Sequence, residues 1–185
     1  MIARARIVFD SNCLIDLEER RPAASSMDVL IAAAHTGRID LAVTAVTASE
    51  NQPGGGVLCN FEDYMARLSR LGLADAHLLL PLAIWDVGYW DHAIFGSDEL
   101  NSLAVRIRGV LFPGEEPGDY SANAMITAKW RRRQCDAMVA WCCIYHEWEC
   151  LVTSDNDFRA HRKELSTLGL SSILSPGEAV AVHAT

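Results

Sequence analysis

Residues 135–158 read CDAMVAWCCIYHEWECLVTSDNDF, and the order of residue types in this stretch decides the fold. Residues 134–148 are mostly apolar and read as one long buried helix. Residues 150–153, Cys-Leu-Val-Thr, follow as a short buried strand that ends at Ser154-Asp155. A helix that returns the chain to a strand is the crossover of a parallel sheet. The N-terminus repeats the ending, because Ile7-Val8-Phe9 is an apolar β-type run that delivers Asp10. Ligand sites in open parallel sheets form outside the carboxyl ends of the strands. Two aspartates at two such ends therefore predict two carboxylates facing one crevice. The plainer alternative is that each aspartate only caps the helix behind it.

Outward from these landmarks the chain alternates. Residues 13–19 form a helix capped by Ser11 or Asn12. Residues 23–36 carry Met27, Leu30, Ile31 and Ala34 at helical spacing and stop at Gly37. Residues 41–46 are rich in β-branched residues and read as a second strand, with Glu50 just after it. Residues 51–56 hold Pro53 and three glycines and read as a loop. Residues 61–71 form a helix with Phe61, Met65, Leu68 and Leu71 on one face, and residues 78–84 a third strand. A helix over 98–111 and a Pro/Gly-rich turn over 113–118 follow. Residues 123–133 are mixed helical. Beyond Asp155, residues 158–168 are helical and 171–174 form a strand. Ser175-Pro176 starts a last helix with proline in its first turn. The expectation is one α/β domain over residues 1–185 with a mainly parallel sheet.

The 185 residues are half apolar, enough for a single core. No secretory signal is expected, because Asp10 interrupts the short basic start before an apolar region forms. The most apolar run, 78–85, falls far short of the ~20 residues that cross a bilayer, so a cytoplasmic protein is expected. Six cysteines without any CxxC pair read as reduced core thiols. The net charge of −8 opposes a broad electrostatic grip on a polyanion. It leaves room for a nuclease whose aspartates bind a divalent cation, since the bound ion inverts their local effect.

Asp136 sits among Cys135, Ala137, Met138 and Val139. A charged group is rarely buried without a partner. It is either an acid favoured by a helix N-terminus, worth about 0.3–1 kcal/mol, or a third carboxylate aimed at the crevice. Glu50 is the fourth candidate. Two carboxylates ~4 Å apart repel by ~1 kcal/mol in water and ~4 kcal/mol at an effective dielectric of 20. Three or four stay ionised together only beside a cation. Oxygen ligands without His or Cys select hard ions such as Mg2+ or Mn2+, and these suit phosphodiester hydrolysis.

These residues carry a resemblance. The opening IVFDSNCLIDL (7–17) resembles the first strand and acidic signature of PIN domains, and 135–158 is similar to the family's third-acid helix and fourth-acid strand end. SSILSPGEAVA (171–181) resembles its closing strand and helix. The resemblance implies a three-layer α/β/α fold with a five-stranded, mainly parallel sheet and a helical insertion at about 85–129. It also implies a Mg2+- or Mn2+-dependent endoribonuclease that leaves a 5′-phosphate and a 3′-hydroxyl. Carried over, Asp10, Asp136 and Asp155 are the main metal ligands, Glu50 the remaining acid and Asp157 an auxiliary one. Asn12 and Ser154 orient water or phosphate. The loop at 51–56 interrupts the helix that the family carries after its second acid, and Glu62 is the alternative. RNA is the implied substrate. The implied protein partners are an antitoxin or other regulator and a second copy of the chain.

Lys129, Arg131, Arg132 and Arg133 precede Asp136, while Arg159, His161, Arg162 and Lys163 follow Asp155. They read as a phosphate-gripping rim, with Arg132, Arg133, Arg159 and Arg162 its main members, or as two solvated helix faces. Cys142, His146 and Cys150 have one-face helical spacing but lack a fourth zinc ligand. Trp85, Tyr89 and Trp90 read as core or interface aromatics ahead of base-stacking platforms. Two rival functions are a haloacid-dehalogenase-like phosphatase, disfavoured because Asn12 stands where a second aspartate is needed, and a silent PIN-fold scaffold.

Overall fold

The computed structural model describes residues 4–49, 61–84, 87, 89–114 and 128–184. Glu50, the 51–56 loop, Cys59, Trp85, most of the 113–118 turn and the 123–127 segment lie outside the described residues.

Five parallel strands, β1 (Ala5–Phe9), β2 (Ile39–Thr44), β3 (His77–Leu79), β4 (Cys150–Val152) and β5 (Ser172–Leu174), form one sheet in the order β3-β2-β1-β4-β5. The chain winds outward from β1 through β2 to β3, then returns across the sheet to β4 and β5. That reversal places a topological switch point between β1 and β4, where a crevice opens at the carboxyl edge. Phe9 is in register with Val152, so the residues that follow the two strands face one another.

Eight α-helices among the described residues cover the two faces, which makes a three-layer α/β/α fold. Strand residues alternate between the layers. Ile7, Phe9, Leu41, Val43, Cys150 and Val152 pack with α1 (Ser11–Glu18), α2 (Ala24–His35), α3 (Phe61–Arg70) and α8 (Pro176–His183). Val8, Ala42, Leu151 and Ile173 pack with α4 (Asp98–Leu111), α5 (Ala128–Tyr145), α6 (Asn156–Ala160) and α7 (Arg162–Thr167). No helix among the described residues is long and apolar enough to cross a membrane.

Several local expectations shift. The third strand ends at Leu79, and Leu82 instead bridges Ile94, with Ile94 N–H donating to the Pro81 carbonyl (2.8 Å). Proline at 81 has no N–H for a sheet ladder. The expected apolar face of α3 turns: Tyr64, Arg67 and Leu68 are buried while Met65 is exposed. The segment after Asp155 is two short helices broken at His161. The 123–133 and 134–148 segments merge, within the described residues, into the single helix α5, which ends before Glu147 in the left-handed region (φ 57°). Gly37, with φ 70°, ends α2 as expected. Ser175 and Glu178 close a full capping box on α8.

Candidate active site

Asp10 caps α1 itself; neither Ser11 nor Asn12 does so. Its Oδ1 accepts the Ser11 backbone N–H (2.7 Å) and the Ser11 hydroxyl (3.2 Å), and its Oδ2 accepts the Thr153 hydroxyl (2.7 Å) and the Asn12 amide (3.3 Å). The side chain is fully buried at the end of β1. Burial pushes its carboxyl above the ordinary range, with Asp155 adding to the rise and the Thr153 and Ser11 hydrogen bonds opposing it.

Asp155 caps α6 across the switch point, where its Oδ1 accepts the Asp157 N–H (2.7 Å). Its Oδ2 receives the Asn12 amide and the Arg132 guanidinium, each at 3.4 Å. Asn12 therefore ties Asp10 to Asp155, residues 145 positions apart, by sharing one amide between the two Oδ2 atoms. Capping and convergence are compatible: each aspartate spends Oδ1 on its helix and turns Oδ2 toward the other.

Asp136 reaches the same place from α5. The helix begins at Ala128, so Asp136 lies two turns inside it, beyond the first turn over which a helix dipole favours an acid. The helix-terminus explanation therefore fails. Burial first, then the charge of Asp10, push its carboxyl up to about 8. Asp155 and Asp157 add to the rise and Arg132 counters it. Burial and neighbouring anions both disfavour the charged form of a carboxyl, and a nearby cation relieves the second of these.

Two residues missed in the sequence complete the frame. The Thr153 hydroxyl donates to Asp10 Oδ2 and accepts the Asp155 N–H (2.9 Å), so one buried group positions both acids. Asp16, only 4% exposed, accepts the Ser154 hydroxyl (2.7 Å) and pairs with Arg21 (3.3 Å). Ser154 thus fastens the strand end to α1, a structural task beyond the water- or phosphate-orienting role expected of it. The T-S-D triplet carried a signal for Thr153, since a hydroxyl beside a strand-end acid is placed to hydrogen-bond it. Replacing Thr153 with valine keeps the shape, removes the donor to Asp10 and leaves the Asp155 N–H unpaired. We expect a loss of about 1–3 kcal/mol, read by urea unfolding; an unchanged midpoint would show that the hydroxyl bridges nothing of consequence.

The other candidates separate. Asp157 is exposed in the first turn of α6, near enough to affect Asp136. Glu62 is exposed in the first turn of α3 and makes no hydrogen bond or ion pair with Asp10, Asp136 or Asp155. The basic rim divides as well. Arg132 reaches the acids, Arg133 lies over the Phe112 ring (4.9 Å), Arg162 pairs with Glu178 (3.2 Å), and Arg159 is exposed on α6. The zinc grouping loses its premise. His146 bonds the Leu80 carbonyl, and burial pushes the Cys142 thiol up and Cys150 to about 11, against the thiolate that zinc requires. Cys13, Cys142, Cys143 and Cys150 are buried free thiols, and Cys135 is buried as well. Tyr89 packs edge-on to Phe61 and belongs to the core on the α1–α3 side.

The donor set suits a hard divalent ion, being carboxylate oxygen flanked by hydroxyl and amide groups. Among the described residues, no three His, Cys, Asp or Glu side chains are gathered closely enough to hold an ion as they stand. The hydrogen bonds give a reason: all four oxygens of Asp10 and Asp155 already accept donors, the longest of these bonds falling on the two Oδ2 atoms that share Asn12. Comparison of the chain with protein-family models, with curated proteins and with solved structures found no match.

Proposed function

We propose that the chain is a divalent-metal-dependent ribonuclease of the PIN type, with Asp10, Asp136 and Asp155 as its metal-binding acids. The observation that carries this reading is the meeting of Asp10 and Asp155 across the switch point through Asn12, with Asp136 near enough to feel both charges, its carboxyl raised to about 8 first by burial and then by those charges. Such a cluster is unfavourable alone and becomes favourable around a cation. Mg2+ or Mn2+ bound there supplies an activated water and charge stabilisation for the attacking and leaving oxygens.

The chain's own residues do the rest. Thr153 and Ser11 hold Asp10 in place. Asn12 keeps the Asp10 and Asp155 Oδ2 atoms turned toward one another. Arg132, 70% exposed beside Asp155, offers a guanidinium to a phosphate approaching the acids. The test is cleavage of structured and single-stranded RNA with Mn2+, with EDTA, and with Asp136→Asn. Manganese-dependent cleavage lost in the variant and in EDTA is expected; cleavage that persists in both would remove the proposal.

One observation favours a second reading, a PIN-fold binding module without catalysis: Arg132 already supplies a positive charge to Asp155. The two readings differ on manganese. The nuclease binds it between Asp10 and Asp155, whereas the inert module binds none. A related prediction concerns RNA. Arg132→Gln is expected to weaken RNA binding and reduce the salt dependence of binding by about one counterion. Arg162→Gln should change it less, because Arg162 is engaged by Glu178. Affinities measured over a range of salt concentrations would show this, and equal slopes for the two variants would contradict it.

A further inference from the structure

Three of the four side-chain oxygens of Asp10 and Asp155 accept a hydrogen bond of 2.7 Å. The fourth, Asp155 Oδ2, is held more loosely, with the Asn12 amide and the Arg132 guanidinium both 3.4 Å away. Contacts of that length are long for an N–H···O bond. The donors of this oxygen are therefore the most readily exchanged. They are not equally placed to leave. Asn12 is half-buried in the first turn of α1 and shares its amide with Asp10 Oδ2 (3.3 Å). Arg132 is 70% exposed, so its guanidinium regains full hydration on leaving, and an exposed ion pair contributes little net stability.

Arg132 stands one helical turn before Asp136 on α5, which puts both on one face of the helix. Its charge opposes the effects of Asp10, Asp155 and Asp157 on the Asp136 carboxyl. One side chain therefore counters the charge of two of the three acids. A guanidinium stays protonated across the physiological pH range, and its long stem lets it move without moving the helix. Its planar fork also fits a phosphate. An N–H directed at Asp155 Oδ2 is closed to that use until the carboxylate gives it up.

We propose that Arg132 is an exchangeable counter-ion: its guanidinium shields Asp155 Oδ2, yields that oxygen when a divalent ion is bound at the acids, and is thereby freed to receive a substrate phosphate. The inference rests on the reading of Asp10, Asp136 and Asp155 as metal-binding acids, and adds which residue leaves when the site is loaded. An arginine beside Asp155 is then part of a working metal site rather than a substitute for one.

The test uses the full chain and the metal alone, without RNA. Mn2+ is titrated calorimetrically into the wild type, Arg132→Gln and Arg159→Gln. Arg159 is exposed on α6, one turn beyond Asp155, and forms no ion pair with it, so its removal reports the long-range effect of one positive charge. Arg132→Gln is expected to tighten Mn2+ at least about threefold, which is what the loss of one competing exposed ion pair gives. Arg159→Gln should change affinity by less than about twofold, because salt screens a charge that makes no contact. In the wild type, Mg2+ should move the Arg132 side-chain Nε–H NMR signal saturably toward the position of a free arginine. Equal Mn2+ affinity in the wild type and Arg132→Gln, an equal gain from Arg159→Gln, or an Arg132 signal that Mg2+ leaves in place would overturn the exchange while leaving the acids as a metal site. No Mn2+ binding in any of the three proteins would overturn the exchange and the nuclease reading together. A confirmed exchange in a chain that cleaves no RNA would remove the nuclease reading alone.

Discussion

Asp10→Asn is expected to abolish the proposed metal-dependent RNA cleavage, lowering kcat/KM by at least about 10³-fold, because residues that act as one catalytic unit fail together. Asp10 is the hub of the site. It is fully buried at the end of the central strand, accepts from Ser11, Asn12 and Thr153, and contributes the largest charge effect on Asp136. Asparagine is also a good helix cap, so α1 should keep its start through the remaining side-chain oxygen. The second side-chain atom becomes an N–H2 facing the Thr153 hydroxyl, which can rotate to accept, and the Asn12 amide, which can flip. The variant should therefore fold, and circular dichroism and thermal unfolding would establish that it does. Manganese affinity, read by isothermal titration, should fall in step with activity. A folded Asp10→Asn protein that cleaves RNA at the wild-type rate would mean that the cluster has nothing to do with catalysis.

The sequence made this hub legible for a physical reason. An apolar β-type run that stops at an aspartate has few places to put it except the carboxyl edge of a sheet, and the β1–β4 register brings the two such aspartates together. Asp136 was legible because a charge on an apolar helix needs a partner. The alternation of strands and helices gave the layers, and the structure makes the sheet entirely parallel.

What the sequence hid are pairings between distant residues. The apolar stripe on α3 misled because Arg67 is buried against Glu18 by two 2.7 Å hydrogen bonds, and because the Tyr64 hydroxyl finds the Thr44 carbonyl. Hydrogen bonds formed across 49 and 20 positions override a stripe read from periodicity alone. The Asp16–Ser154 link, spanning 138 positions, was invisible for the same reason. Capping was misassigned because one residue serves two purposes: Asp10 and Asp155 each use one oxygen locally and one across the crevice.

The second large effect concerns stability and has the opposite sign to activity: Asp136→Asn should inactivate the protein and, without divalent ions, make it more stable at alkaline pH. The groups facing Asp136 are Asp10 from the end of β1, Asp155 at the start of α6, Asp157 in its first turn, and Arg132 one turn earlier on α5. Burial first, and then three anions, outweigh one exposed cation and raise the folded carboxyl to about 8 against about 3.9 in the unfolded chain. Between those values the folded state binds the proton more tightly than the unfolded state does. Folding stability therefore falls as pH rises through that window. Below about pH 4 the group costs nothing, and above about pH 8 the penalty is complete. The full shift corresponds to an upper bound of about 6 kcal/mol, and partial solvation of a half-buried site reduces this to about 2 kcal/mol. Asparagine does not titrate, so the variant should unfold about 4–8 °C above the wild type at pH 8.5 for a chain of this size, with the gap closing toward pH 4. Manganese should then raise the wild-type Tm more than the variant's, because only the intact cluster gains a ligand on folding. Equal melting temperatures at pH 8.5 in EDTA would mean that neither burial nor the neighbouring acids penalise the Asp136 carboxylate.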